Sequence, residues 1–292
     1  MSVPVFVDPK YDFPAAAAAT VNYVVCSAPR SGSNFLGTLL RSTERAGFPA
    51  EYFTPRYIRE FAVRAGTEDY LPVVDFVRRH RTSPNGVFGF KAHYDQFVAM
   101  GRKIDIAAIF PGLNYIRIYR RDSLGQAISF ARAAQSGRYT LAGDSSGAER
   151  FDPDLIESCM NRLLALDASW RRFFARRGLT VLEIAYEDLI ADPAAALVSV
   201  GEFLGLREKL EVSAEAFVTR KQGDATNAEW RRRIVEAHQA RRFPEADDDV
   251  FWMHGASIGT ILSHVAARAF RKARKTLRIV PAVSRRLSSR GS

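Results

Sequence analysis

Hydrophobic positions along the chain switch repeatedly between two spacings. Tyr23-Val-Val-Cys-Ser27 is a short run of β type, and after a small-residue turn, Ala28 to Gly32, the apolar positions Phe35, Leu36, Leu39 and Leu40 recur at helical spacing. Gly47 reads as the end of that helix. The same succession returns at Tyr115-Ile-Arg-Ile-Tyr119, a turn at Arg120 to Asp122, and a helix carrying Leu124, Ala127, Ile128 and Ala131. A third strand, Thr180-Val-Leu-Glu-Ile184, leads to a helix from Pro193 to Leu204, with Asp192 as its cap, Pro193 in its first turn and Gly205 at its end. Between these units Asp152-Pro153 opens a long helix whose buried side is expected at Leu155, Ile156, Cys159, Leu163, Leu166, Trp170 and Phe173. Strands alternating with helices predict an α/β fold, a central parallel sheet covered by helices on both faces.

Composition agrees and excludes other classes. With 292 residues, 47% hydrophobic and 25% charged, the chain buries a sizeable core without staples. Its two cysteines, Cys26 and Cys159, cannot build a disulfide scaffold or a Cys-based zinc cluster, and on apolar elements they read as inert core thiols. His80, His238, His254 and His264 lack metal-ligand spacing, so no metal site is expected. The opening residues, Met1 to Asp8, lack the basic start and apolar stretch of a signal peptide, which predicts a cytoplasmic location. Gly137 to Arg150 reads as a loop, and no linker divides the chain, so residues 1–231 are expected to form one domain and residues 232–292 a helical, basic C-terminal extension.

The net charge of +10 is concentrated in that extension, where nine basic and no acidic side chains follow Val265. The body is nearly neutral. Just upstream, Val250 to Ala267 is an uncharged stretch of 18 residues with Gly255 and Gly259 at GxxxG spacing. Ser257, Thr260, Ser263 and two histidines make it polar for a membrane span, which leaves a helix packed on the domain or on a dimer partner, or one lying on a membrane surface with a basic rim.

Candidate chemistry starts at Ser27-Ala-Pro-Arg-Ser-Gly-Ser-Asn34, where a strand feeds a turn that opens a helix. Such a junction aims unpaired backbone N–H groups and the positive helix end at one point, which suits an oxyanion. It is not a Walker A loop, because Arg30 precedes the glycine and Ser33-Asn34 follows it where a lysine and a Mg²⁺-binding hydroxyl would stand. By itself the junction is equally consistent with serine caps and a surface arginine. A second anion site is expected at Arg121 and Ser129, eight residues apart, one at the end of a strand and the other about two turns into the next helix.

These two segments together resemble the paired cofactor motifs of sulfotransferases, and more closely those of the Stf0-type bacterial carbohydrate sulfotransferases, whose familiar activity is trehalose sulfation. Gly47 to Phe53, Ser83 to Lys91, Tyr186-Glu-Asp-Leu189 and Lys221 to Trp230 extend the likeness over about residues 21 to 233. The resemblance implies a P-loop-like sulfotransferase architecture and 3′-phosphoadenosine 5′-phosphosulfate (PAPS) as sulfuryl donor, bound without a metal. It implies that Arg30, Ser31, Gly32, Ser33, Asn34 and Phe35 hold the 5′-phosphosulfate, with Arg30 on the bridging oxygen. Arg121, Ser129, Arg220 and Lys221 would hold the 3′-phosphate. It further implies a carbohydrate acceptor and a homodimer; a glycolipid acceptor is expected if the tail from Val250 to Arg290 lies on a membrane. Asn34-Phe35 departs from the threonine common in sulfotransferases at this place.

Transfer to an alcohol needs a base for the acceptor hydroxyl. Glu51 lies in the segment that carries the proposed catalytic glutamate of the resembled family and is the first candidate. His93 is the second, because Lys91-Ala-His93 resembles the lysine and histidine pair of cytosolic sulfotransferases. On a strand both side chains share one face, with Lys91 placed to stabilise the sulfuryl group. Tyr52, Phe53, Tyr57, Phe90 and Tyr94 could stack on a ligand, though core packing is their expected role, and Arg56, Arg59 and Arg64 are expected on a solvated face. A nucleotide-dependent kinase, disfavoured by the missing Walker residues, is one alternative. A polyanion-binding module, suggested only by the pI of about 9.8, is the other; nucleic acid is not the expected partner.

Overall fold

The computed structural model describes residues 7–14, 18–137, 149–211 and 225–240. Among them, four strands form one all-parallel sheet: β1 (Val21–Ser27), β2 (Val87–His93), β3 (Asn114–Tyr119) and β4 (Val181–Ala185), in the order β2-β1-β3-β4. The helices, in chain order, are α1 (Ser33–Ser42), α2 (Pro55–Ala65), α3 (Tyr70–Arg81), α4 (Tyr94–Gly101), the single turn α5 (Ile106–Ile109), α6 (Ser123–Ser136), α7 (Pro153–Arg177), α8 (Tyr186–Ala191), α9 (Pro193–Phe203) and α10 (Ala225–Gln239). The chain divides into two compact units, Met1–Arg232 and Arg233–Ser292. Of the second, residues 233–240 are described. Most of the expected 137–150 loop and the 250–267 stretch lie outside the described residues.

β1 is buried along nearly its whole length, and its alternation separates two cores. Tyr23 and Val25 point to one side of the sheet, where Leu36, Leu39 and Leu40 of α1 meet Ile116, Ile118, Leu197 and Val200. Val24 and Cys26 point to the other, against Phe61, Val73, Val77, Phe88, Phe90 and Trp170. Helices thus cover both faces, as the spacing predicts. Because β1 has β2 on one flank and β3 on the other, the strand order reverses between β1 and β3. In a parallel sheet a crevice opens at the carboxyl ends of such a pair.

Several expectations change in detail. α1 stops at Ser42, and Gly47 belongs to the following loop, where it has φ +68° and an added Cβ would lie 2.9 Å from the Val87 carbonyl oxygen. Phe174, not Phe173, makes the deeper burial on α7. Arg64 is not solvated: it bonds the Val7 carbonyl (2.8 Å) and shares Asp12 with Arg81, a fully buried side chain. α2 and α3 were not anticipated, although Pro55 in the first turn of α2 and Gly66 at its end, with φ +66°, are ordinary start and stop signals.

Candidate active site

The loop that leaves β1 holds two residues of left-handed backbone. Arg30 takes a left-handed backbone (φ +61°), and Gly32 follows at φ +90° as the N-cap of α1, with no side-chain hydrogen bond closing that helix end. A Cβ on Gly32 would stand 2.3 Å from Cδ2 of Tyr186, so sterics and backbone both require glycine. Ser31 is 1% exposed and its hydroxyl has no hydrogen-bond partner. A buried hydroxyl without a partner is costly, and here it sits beside the uncapped N–H groups of α1, a donor set that fits an oxyanion. Ser33 is buried as the first residue of α1, and Phe35 is half-buried against the adjoining core.

The second turn adjoins the first. Asp122 caps α6, accepting from the Gly125 N–H (2.9 Å), and two turns along Ser129 Oγ accepts from Arg30 Nε at 3.0 Å. Residues 99 positions apart in the chain therefore meet where the turns after β1 and β3 adjoin. Arg120 and Arg132 join this neighbourhood. Burial pulls the Arg30 guanidinium down, and those two like charges act in the same direction. Arg120 lies 5.0 Å from the Tyr186 ring centre, while Arg132 bonds Asn227 of α10 (2.6 Å) and Glu149. Arg121 turns to the carboxylates of α8: its guanidinium bonds Asp188 (3.1 Å) and stands 3.7 Å from Glu187. Glu187 also accepts from the backbone N–H groups of Arg121 and Asp122, each at 3.2 Å. Arg220 and Lys221 lie outside the described residues.

The third group stands at the carboxyl end of β2. Lys91 and His93 share a face, as their spacing predicts, and both reach Glu51, which the Lys91 N–H fixes by bonding the neighbouring Ala50 carbonyl (2.9 Å). The Lys91 ammonium is 3.2 Å from Glu51 Oε1 and donates to Asn34 Oδ1, so it bridges the candidate base and the anion loop. His93 Nε2 is 3.8 Å from Glu51 Oε2, while its Nδ1 is 3.2 Å from the Ser27 carbonyl oxygen. The Ser27 hydroxyl lies at the same 3.2 Å from Nδ1, so this nitrogen either donates to the carbonyl or accepts from the hydroxyl, according to the tautomer. Gln96, a residue the sequence reading did not single out, accepts from the His93 backbone N–H (2.8 Å) and donates to Glu51 Oε2 (2.9 Å). Its only sequence signal is its place three residues beyond His93, which gives the spacing of a capping box.

Burial raises the Glu51 carboxyl, but the Lys91 ammonium, His93 and the Gln96 hydrogen bond outweigh it and bring the pKa down to about 2. Burial keeps His93 below its ordinary value although Glu51 opposes the shift. The group gathers the Lys91 and His93 side chains around one carboxylate held well below its ordinary pKa, an arrangement able to accept a proton and to hold a developing anion. Tyr57 is half-buried near Glu51, whereas Tyr52 and Phe90 are wholly in the core. Among the described residues no cluster of His, Cys, Asp and Glu could hold a metal ion, and no helix is long and apolar enough to cross a membrane.

The Arg30 turn is thus bonded to Ser129 on one hand and, through Asn34, to the Lys91–Glu51 pair on the other. The model of the Stf0 sulphotransferase family matches residues 22–237. The chain belongs to the Stf0 sulfotransferases. It is 28% identical over 253 residues to a trehalose 2-sulfotransferase of Mycobacterium tuberculosis, covering 71% of this chain and 92% of that protein. To the trehalose 2-sulfotransferase of Mycolicibacterium smegmatis it is 26% identical over 266 residues, covering 76% and 97%. The solved sulfotransferase domain of the Synechococcus PCC 7002 olefin synthase overlaps this sulfotransferase with a TM-score of 0.37 at 18% identity, over 80% of this chain and 92% of that one.

Proposed function

We propose that this sulfotransferase moves the sulfuryl group of PAPS to a hydroxyl of a carbohydrate or glycolipid. The observation that carries the proposal is the Arg30–Ser129 contact at 3.0 Å beside the buried, unpartnered Ser31 hydroxyl. It joins the two turns, which suits a donor with phosphate on both the 3′ and the 5′ carbon of one ribose. The trehalose 2-sulfotransferase relatives support a sugar acceptor.

In this reading the loop from Arg30 to Phe35 binds the 5′-phosphosulfate through backbone N–H groups and the Ser31 hydroxyl. Arg121, Ser129, Arg220 and Lys221 serve the 3′-phosphate, for which the Arg121 guanidinium exchanges Asp188. Glu51 takes the acceptor proton as the acceptor oxygen bonds to sulfur, and the bond from sulfur to the bridging oxygen breaks in line. The products are a sulfate ester and adenosine 3′,5′-bisphosphate, whose leaving oxygen Arg30 stabilises. Lys91 links these events. It is the chief partner lowering Glu51, and moving its ammonium onto the sulfuryl oxygens frees the carboxylate to act as a base when donor is present. His93 is the alternative base at the same place.

Titration of the full chain with adenosine 3′,5′-bisphosphate tests the proposal. Binding at micromolar concentration, lost in Arg121→Ala, is expected, together with sulfate transfer from PAPS to trehalose or a related sugar. Preference for ATP with Mg²⁺ would overturn it, as would a steeply salt-dependent affinity indifferent to Arg121→Ala. The proposal includes residues 1–231 as the catalytic domain, cytoplasmic residence, a homodimer and contact of the basic extension with anionic lipid. Liposome sedimentation without binding removes the lipid contact.

A further inference from the structure

We propose that Gln126 is a positioning residue that holds the phosphosulfate loop against α6 and thereby ties the two ends of the donor site together, an inference that rests on the PAPS reading above. Gln126 is 6% exposed and lies one turn before Ser129 on α6. Its Nε2 donates to the Pro29 carbonyl at 2.7 Å, and the next loop residue, Arg30, donates from Nε to Ser129 at 3.0 Å. Residues three apart share a helical face, so one face of α6 grips consecutive loop residues, one by its backbone and one by its side chain. A carbonyl only accepts, which sets the orientation of the Gln126 amide.

The loop needs an external hold. A left-handed backbone is unfavourable for any residue with a side chain, and among the described non-glycine residues only Arg30 and Glu44 adopt one. The internal turn bond, from the Ser31 N–H to the Ala28 carbonyl, is long at 3.4 Å. Pro29 has no N–H, so its carbonyl is its sole backbone polar group, and Gln126 takes it. The Tyr186 ring also adjoins the loop, since a Cβ on Gly32 would meet its Cδ2 at 2.3 Å. Losing the amide leaves the Pro29 carbonyl without that donor, releases the Arg30 turn and draws its guanidinium away from Ser129. The effect reaches both anion sites but falls hardest on the one the loop builds.

The test compares wild type with Gln126→Met, which keeps the length without a donor, and Gln126→His, which restores an N–H at similar reach. Each full-length chain is titrated with adenosine 3′,5′-bisphosphate and with adenosine 3′-monophosphate, and its melting temperature is recorded. For Gln126→Met we expect about tenfold weaker binding of the bisphosphate, the scale of one buried hydrogen bond, and a loss of about threefold or less for the 3′-monophosphate. Gln126→His should return the bisphosphate affinity to within about threefold of wild type. Equal losses for the two ligands, no loss, or a histidine variant no better than methionine would overturn the assignment. Gln126→Ala is read in the same way if the methionine variant does not fold. Wild-type chain that binds neither ligand defeats the donor reading itself, an outcome distinct from variants that bind as wild type does.

Discussion

Replacing Glu51 by glutamine removes one charge and almost no volume, so its consequences follow from the electrostatics of one pocket. The folded carboxyl sits at about 2 against an ordinary 4.5, because the Lys91 ammonium, His93 and Gln96 outweigh burial. That gap corresponds to about 3 kcal/mol of stability. Its sign is that of a depressed acid: fully present above the unfolded value near 4.5, and lost as the pH falls through about 2. Glu51→Gln should therefore be less stable than wild type at pH 7 by up to about 3 kcal/mol, and the two should converge as the pH is lowered from about 4.5 towards 2. Urea denaturation followed by tryptophan fluorescence across pH 7 to 3 measures the difference, with Trp170, packed 5.2 Å from Tyr94 and bonded to Ser27, as a buried reporter. The same variant should lose about a hundredfold or more in turnover, the scale of general-base catalysis, while keeping its affinity for adenosine 3′,5′-bisphosphate. Parallel stability curves across this pH range would refute the electrostatic argument. Retained turnover in Glu51→Gln, with loss in His93→Ala, would move the base to the imidazole.

Two other substitutions probe the frame around this pocket. Gly32→Ala puts a Cβ 2.3 Å from the Tyr186 ring on a backbone of φ +90°, and it should cost about 2 kcal/mol or more and abolish binding of adenosine 3′,5′-bisphosphate, as seen by thermal denaturation and titration. Asp12→Asn takes the carboxylate from two arginines, one of them fully buried, and should lower stability by about 3 kcal/mol in urea while leaving the affinity for adenosine 3′,5′-bisphosphate unchanged.

The local signals in this chain are strong where one residue type does one job. The apolar run of β1, the Asp192-Pro193 start and Gly205 stop of α9, and the Asp152 cap of α7 each follow from sterics or hydrogen bonding within a few residues, and all appear where the spacing puts them. The anion loop is legible for the same reason, since a strand-turn-helix junction rich in small residues leaves N–H groups pointing forward whatever surrounds it. Lys91 and His93 share a face because a strand alternates, which is again local.

What the chain could not disclose by itself are the contacts between segments remote in sequence. Arg30 and Ser129, Gln126 and Pro29, and Lys91 with both Glu51 and Asn34 are pairs separated by 99, 97, 40 and 57 positions, and spacing carries no information about them. They come together because β1 lies between β2 and β3, an order chosen by how two apolar faces bury against different helices. Arg121 makes the same point in the other direction: its position in the chain was plain, but only the packing of α8 beside the turn decided that Asp188 and Glu187 take its guanidinium. Sequence determined which groups were available for anion binding and proton transfer. Tertiary structure decided which of them touch, because hydrophobic burial is indifferent to the identity of the polar groups it carries to the edge of the sheet.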